Sequence, residues 1–530
     1  MDVGETTVGR EERESIRDIV ERAERVGAIF ARYYYGIDNI PITLERGKEL
    51  PYGAYVFVKD RDGLPIVYQI ARPIWFRPSE DFEEGLIASG ESPRSGGLER
   101  YRCSGVLFGK ILENGDITQP KYPPSPFTPV YKCPEELVKL IIEPLDEWKI
   151  RIGVDVETGT PITLALTPLL RQSLLIAGAQ GTGKTTGMLT LISRSACKGV
   201  RFLILDWTGE YIALKSGEYE DESCEHLKDK TIVVPWWKFA YAYIKENPIG
   251  LVDVLKEEHP WAQQKPVSGL LSDALAECMK DNIFPTKEKL LEEIEKVKGN
   301  RWPETVEKAK QVTIRSSSIM EKEPEKNDIV KIDKIVDYIK KYRIVVVDFT
   351  EAREGISEEF EFKKKVAEYI VERVWKEATL YSKGEFGCVV VSDEAHRICP
   401  EPRVLGGSRP SRIWISLATE GGRNSIPFWL VARRLSLVAK SITVESQQNF
   451  ICFNVEDVDR RRVLEDLGET FASLLGSLPR GEALVKSMGF RKPGSVSHVK
   501  FDVVVKPLSA RVEAKGVFDK MLEKEESSSN

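Results

Sequence analysis

Seven short runs of almost unbroken apolar residues most constrain the fold of this chain. They are SLLIAG at 173–178, RFLILD at 201–206, TIVVP at 231–235, RIVVVDF at 343–349, GCVVVSD at 387–393, FWLVAR at 428–433 and NFICFN at 449–454. Runs of this length without polar alternation suit strands buried on both faces, which is the environment of a parallel sheet covered by helices. Helical patterns separate them. In one, Val267, Leu270, Leu271, Ala274, Leu275 and Cys278 form a stripe, and in another Leu290, Leu291, Ile294 and Val297 do. These belong to a helical insertion expected at about 245–340, with the charge-rich MEKEPEKND as a solvated loop.

Upstream the texture differs. Residues 11–28 carry Ile16, Ile19, Val20, Ala23 and Val26 at helical spacing, so residues 1–28 are expected to supply an N-terminal helix. From 29 to 135, short runs such as AYVFVKD and GLPIVYQIA are broken by Gly, Pro, Asn and Asp. This predicts a small β-barrel, with the proline-rich QPKYPPSPFTPVY as an extended connector. The expected fold class is α/β, with a mainly parallel P-loop core over 145–505, the helical insertion, the barrel in front and a polar tail over 506–530.

Charge and cysteine usage bound the setting. Lys plus Arg number 77 against 83 Asp plus Glu, a formal net charge of −6, which excludes a globally basic nucleic-acid coat but not a local basic channel. The eight cysteines contain no C-x-x-C pair, and Cys388 and Cys399 are not spaced as a metal knuckle. All eight are expected to be reduced in a cytoplasmic protein. The charged N-terminus has no apolar core of a signal peptide, and no uncharged apolar run approaches the ~20 residues of a membrane helix.

Two motifs carry chemistry. Gly178-Ala-Gln180-Gly181-Thr182-Gly183-Lys184-Thr185 fits G-x-x-x-x-G-K-[ST] and sits between a strand and a helix. Glycines let backbone N–H groups turn inward around a phosphate at a helix N-terminus. Lys184 reaches the β and γ phosphates, Thr185 offers a hydroxyl to Mg²⁺, and Thr186 follows in the first helical turn. The second motif is GCVVVSDEAH, an apolar strand ending in Asp393 and Glu394. There Asp393 is suited to hold Mg²⁺, and Glu394 to orient the attacking water or take its proton. Together they predict hydrolysis of ATP with Mg²⁺ as cofactor. His396 is given no role.

The order of the remaining pieces resembles the HerA branch of the HerA–FtsK superfamily, clearest from about 152 to 505. The Asp206-Trp-Thr-Gly209-Glu210-Tyr211 segment matches that branch's Asp-x-x-Gly-Glu-Tyr signature, and Asp393 to His396 its Asp-Glu-Ala-His segment. TEGGRNSIPFWLVARRLSLVAKSI resembles its penultimate strand, and LPRGEALVKS its terminal strand. The resemblance implies a RecA-like core, an N-terminal barrel and a homohexameric ring that moves double-stranded DNA in end processing with a NurA-type nuclease. It leaves open a motor for conjugation or DNA import, and a slowly hydrolysing scaffold ring for a partner effector.

Two departures bear on rate. Where the family has Glu-Gly-Arg-Lys, with an Arg proposed to act on the neighbouring subunit's nucleotide, this chain has Glu420-Gly421-Gly422-Arg423. Arg423 then stands one residue late. Where the family has Ser-Gln-Arg-Pro, this chain has Ala432-Arg433-Arg434-Leu435. Arg434 keeps its place, and Arg433 replaces the sensing Gln. The flexible segment RICPEPRVLGGSRPSR offers Arg403, Arg409 and Arg412 as candidate DNA contacts in a pore.

Overall fold

The protein is described by a computed structural model covering residues 15–30, 35–76, 100–325, 328–353, 360–402, 410–446, 448–467 and 474–508. It divides into two compact units. The first comprises Met1–Ala165, Val463–Leu478 and Glu482–Lys500, and the second Leu166–Arg462, Pro479–Gly481 and Phe501–Asn530.

The first unit opens with a short helix, Ile16–Glu21, N-capped by Ser15, whose side chain accepts from the Arg17 amide. Seven strands follow: β1 (Arg25–Ile29), β2 (Asn39–Leu44), β3 (Tyr55–Lys59), β4 (Pro65–Phe76), β5 (Arg100–Ile111), β6 (Ile117–Thr118) and β7 (Pro129–Lys132). They pair in the order β2-β1-β7-β3-β4-β5-β6, and the further β2–β5 pairing closes six of them into an antiparallel barrel. Its core is packed with Ile29, Ile40, Val56, Val58, Ile66, Tyr68 and Val130, inward residues of alternating strands.

Two segments differ from the sequence expectation. The helix stops at Glu21, and RVGAI is a strand rather than its continuation. Gly27 shows why. A Cβ there would lie 2.4 Å from the Thr43 carbonyl oxygen across the β1–β2 pair, so this position serves close strand approach. The proline-rich connector likewise ends in β7, which pairs with both β1 and β3. The same unit holds the hairpin β8 (Lys149–Asp155) and β9 (Pro161–Ala165).

The second unit is built on seven parallel strands: β10 (Leu174–Ala177), β11 (Phe202–Asp206), β12 (Thr231–Pro235), β13 (Ile344–Asp348), β14 (Val389–Ser392), β15 (Phe428–Ala432) and β16 (Phe450–Cys452). Each coincides with one of the seven apolar runs. The order is β12-β13-β11-β14-β15-β10-β16, and every pairing is parallel. All residues of β10, β11, β13, β14, β15 and β16 are buried, whereas the edge strand β12 is only partly so. This is the RecA-like core of a P-loop protein.

The helical insertion starts at Trp237, directly after β12, and runs through Pro248–Glu258, Lys265–Lys280, Lys287–Val297, Pro303–Arg315 and Lys334–Lys341. The expected stripe on Lys265–Lys280 is buried at every one of its six positions. In the next helix Leu290 and Ile294 are buried, while Leu291 and Val297 are only partly so. The last strands, β17 (Glu482–Ser487) and β18 (Ser495–Phe501), pair antiparallel. They group with β8 and β9 in the first unit, apart from the stretch Phe501 onward. The expected single block over 145–505 is thus divided. Its first and last hairpins join through pairings between segments distant in sequence, which no local pattern announces. Of the tail at 506–530, residues from 509 lie outside the described residues.

Candidate functional site

Parallel strands place their carboxyl ends on one edge, and side chains from successive loops meet there. The register fixes which ones. Ala177 pairs with Ala432, Ser392 with both Leu205 and Leu430, and Asp206 with Asp348. The loops after β10, β11, β14 and β15 therefore leave the same edge side by side.

The loop after β10 is the glycine-rich motif. Gly181 and Gly183 have φ of 77° and 116°, conformations that favour glycine. Space matters too. A Cβ on Gly178 would sit 2.8 Å from Phe453 Cβ, and one on Gly183 3.1 Å from the Gly481 Cα. The loop is anchored from behind, where the Ala179 amide donates to the Asn454 carbonyl at 2.7 Å and the Gly481 amide to the Thr182 carbonyl at 2.9 Å. Gln180 and Gly181 are exposed at its tip, and Thr182, Lys184, Thr185 and Thr186 are half-buried. The helix Lys184–Cys197 begins immediately after Gly183.

Lys184 Nζ donates to the Ala179 carbonyl at 2.6 Å, folding the side chain across the loop. Burial pushes its pKa down to about 8, with Arg433 adding to that shift and Glu394 opposing it. The structure thus gathers Lys184, Glu394 and Arg433 from three different loops. Glu394 adopts φ 48° at the turn between β14 and the short helix Ala395–Ile398, a conformation that is uncommon for a non-glycine residue and collects at functional sites. His396 Nδ1 lies 3.2 Å from Glu394 Oε2. Burial lowers the His396 pKa, which favours the neutral ring at neutral pH.

Asp393 is buried. Its Oδ1 accepts from the Trp207 amide at 2.9 Å and its Oδ2 from the Thr208 hydroxyl. Both partners belong to the signature turn after β11. Asp206 shapes that turn by accepting from the Gly209 amide at 2.8 Å and the Tyr211 amide at 2.9 Å. Burial raises the pKa of both acids, with Asp206 raising that of Asp393 further and Asp348 raising that of Asp206. A divalent cation at Asp393 would relieve this crowding of negative charge. The glycine-lined cradle with Lys184 beside it likewise matches a polyphosphate. The residues present therefore fit ATP and Mg²⁺.

The remaining candidates are spread wider. Arg433 is exposed, and Arg434 Nε lies 3.5 Å from Glu456 Oε2. The backbone just past them is pinned, with the Leu435 and Ser436 amides donating to Asp459 at 3.0 and 2.8 Å. Arg423 is an exposed residue on the turn Gly422–Asn424. Gly422 explains its position. A Cβ there would lie 2.0 Å from the Arg171 carbonyl oxygen, so no side chain fits and the first available cationic group is at 423. Arg412 is exposed at the start of the helix Arg412–Glu420, while Arg403 and Arg409 lie outside the described residues.

Residues 150–374 match the sequence family described as "Helicase HerA, central domain". That stretch runs from the β8 hairpin through the glycine-rich loop and the signature turn to the helix before β14. The chain carries a HerA-type helicase central domain over these residues. Among its relatives, a probable helicase of Methanocaldococcus jannaschii is 23% identical over 433 residues, covering 76% of this chain and 80% of that protein. A DNA double-strand break repair helicase HerA of Sulfolobus acidocaldarius is 25% identical over 410 residues, covering 73% and 76%. Among solved structures, VirB4 of Thermoanaerobacter pseudethanolicus superposes with a TM-score of 0.48 at 15% identity, covering 68% of this chain and 98% of that one.

In the sequence, Asp206–Tyr211 reads as a family signature, and no task is legible for its individual residues. The structure shows Thr208 and the Trp207 amide holding Asp393, and Asp206 holding the turn that presents them. A hydroxyl two residues past a strand-end aspartate was the available signal. Among the described residues, no helix is long and apolar enough to cross a membrane.

Proposed function

We propose that this HerA-like protein is an ATP-driven, ring-forming translocase on double-stranded DNA, working in end processing with a NurA-type nuclease. The observation that supports it most is the convergence of Lys184, Glu394 and Arg433 beside the Asp206–Asp393 pair, with Arg423 exposed directly after two glycines whose positions admit no side chain. The parts divide the work as follows. The glycine-rich backbone and Lys184 bind the phosphates. Thr185 and Asp393 would hold Mg²⁺, which when bound would supply charge neutralisation on the phosphate oxygens. Glu394 orients the attacking water and accepts its proton. Arg423 faces outward, as a group acting on a neighbouring subunit's nucleotide must. Arg433 and Arg434 carry positive charge at the mouth of the site. Arg412, with Arg403 and Arg409, is assigned to the phosphate backbone of DNA.

Assembly as a homohexamer belongs to the same proposal. One observation favours a second reading, a slowly hydrolysing scaffold ring. Arg423 stands one residue beyond the family's position, and an arginine contact of this kind is worth ~10³–10⁵ in rate. Hydrolysis measured with and without linear duplex DNA separates the two. The motor predicts DNA-stimulated turnover that Lys184→Ala and Glu394→Gln abolish. Rings that form normally with negligible turnover in either condition would favour the scaffold.

A further inference from the structure

Two of the eight cysteines meet. Cys197 ends the helix that starts at Lys184, and Cys224 lies on the turn Glu222–Lys228. Their sulfurs are 3.0 Å apart, closer than two thiols sit in ordinary van der Waals contact. The backbone on each side is held in place. The Cys224 amide donates to the Asp221 carbonyl at 3.0 Å, and the Asp221 side chain caps the turn by accepting from the Ser223 amide and hydroxyl at 3.2 and 2.6 Å. From the helix side, Arg194 reaches Asp221 at 3.2 Å and Asp502 at 2.7 Å. The helix end and the turn are thus already clamped by ion pairs one turn away from the sulfurs. Cys197 is exposed, whereas the other seven cysteines are buried.

We infer that Cys197 and Cys224 form an intramolecular disulfide, a covalent staple across the segment that carries β11 and the Asp206–Tyr211 turn. Closing the bond moves the sulfurs by about 1 Å, to the ~2.05 Å of a disulfide, so neither backbone needs to travel far. The chemistry is thiol–disulfide exchange with a small disulfide oxidant such as glutathione disulfide. One protein thiolate attacks an oxidant sulfur and expels a glutathione thiolate. The second protein thiolate then attacks the mixed disulfide and expels the other. Two protein thiols are oxidised by two electrons, and one glutathione disulfide is reduced to two glutathione thiols. The Cys197 thiol donates to the Cys224 sulfur and holds the Cys224 pKa below the ordinary thiol range, which favours the thiolate the exchange requires. The staple fixes the far end of the phosphate-binding helix to the segment leaving the signature turn. The eight cysteines are free thiols in the structure, as expected, and the inferred bond is the oxidised state of this one pair.

The test counts thiols in the denatured full-length protein after exposure to glutathione disulfide. With eight cysteines in the chain, alkylation without reductant should label six, and after reduction all eight. Peptide mapping should find the peptides of Cys197 and Cys224 linked, with the loss of two hydrogens. Cys197→Ser should label seven with or without reductant. Loop-closure entropy predicts that reductant lowers the melting temperature of the native protein by about 5 °C, but not that of Cys197→Ser. Eight labels without reductant, a persistent glutathione adduct on either cysteine, or a linkage between other cysteines would overturn the inference.

Discussion

Gly422 stands where the resemblance to HerA places an arginine, and introducing that arginine should damage this protein rather than improve it. A Cβ at Gly422 would lie 2.0 Å from the Arg171 carbonyl oxygen, 2.3 Å from its carbon and 2.9 Å from the Gln172 nitrogen. All three are backbone atoms and cannot swing aside as a flexible side chain would. Relief requires moving the segment before β10 or the turn Gly422–Asn424. Gly421 is equally confined, with its own Cβ position 2.3 Å from the Ile426 and Leu417 carbonyl oxygens. Overpacking commonly costs ~1–3 kcal/mol, and backbone overlap puts Gly422→Arg at the upper end, about 3 kcal/mol. A unit of some 330 residues loses about 1.5 °C per kcal/mol, so melting should fall by roughly 4–5 °C. Differential scanning calorimetry reads the shift, and steady-state hydrolysis with duplex DNA reads the rate. The variant should melt lower and hydrolyse no faster than wild type. An unchanged melting temperature together with faster hydrolysis would show that position 422 admits a side chain, and would refute the assignment of the outward cation to Arg423.

Other outcomes follow from the same geometry. Lys184 titrates at about 8 in the free protein, so its ammonium is present below that pH and lost above it. Affinity for ATP should therefore weaken roughly fivefold as pH rises from 8 to 9, measured by calorimetry, and a flat profile would contradict the buried position of the amine. Thr208→Val removes the hydroxyl that donates to Asp393. It should weaken Mg²⁺-dependent nucleotide binding by ~10–100-fold while leaving binding in chelator unchanged. In mixed rings, Arg423→Ala subunits should slow hydrolysis at neighbouring intact sites, and rings as fast as wild type would remove Arg423 from the mechanism. Leu275→Ala, fully buried in the helical insertion, should cost ~2–5 kcal/mol by urea unfolding without altering nucleotide affinity.

The core was legible because burial on both faces leaves a local signature. Val345, Val346 and Val347 must all be apolar, and an uninterrupted run says so wherever it occurs. The same holds for the glycine-rich loop, whose conformation and tight packing demand particular residues at fixed spacing. Features made by distant pairings were not legible. RVGAI is too short for its spacing to separate helix from strand, and what decides it is the approach of Gly27 to Thr43 across the barrel. PVYK follows a proline-rich stretch, yet it finds two partners, β1 and β3, only once the barrel closes. Within the site, Asp393 and Glu394 were readable as acids ending a strand. The dependence of Asp393 on Thr208 was not, because 185 residues separate them. The reason for Gly422 was hidden in the same way, since the obstacle is the backbone at Arg171.

The proposed function requires the site to spend ATP in moving duplex DNA. Displacement of a third strand from linear duplex DNA tests it most directly, because a protein that only binds or assembles cannot strip the strand. Wild type should displace it with ATP, and neither Lys184→Ala nor Glu394→Gln should do so at any protein concentration that saturates the DNA. A wild-type protein that hydrolyses ATP at the same rate with and without DNA, and leaves the third strand in place, would contradict the account.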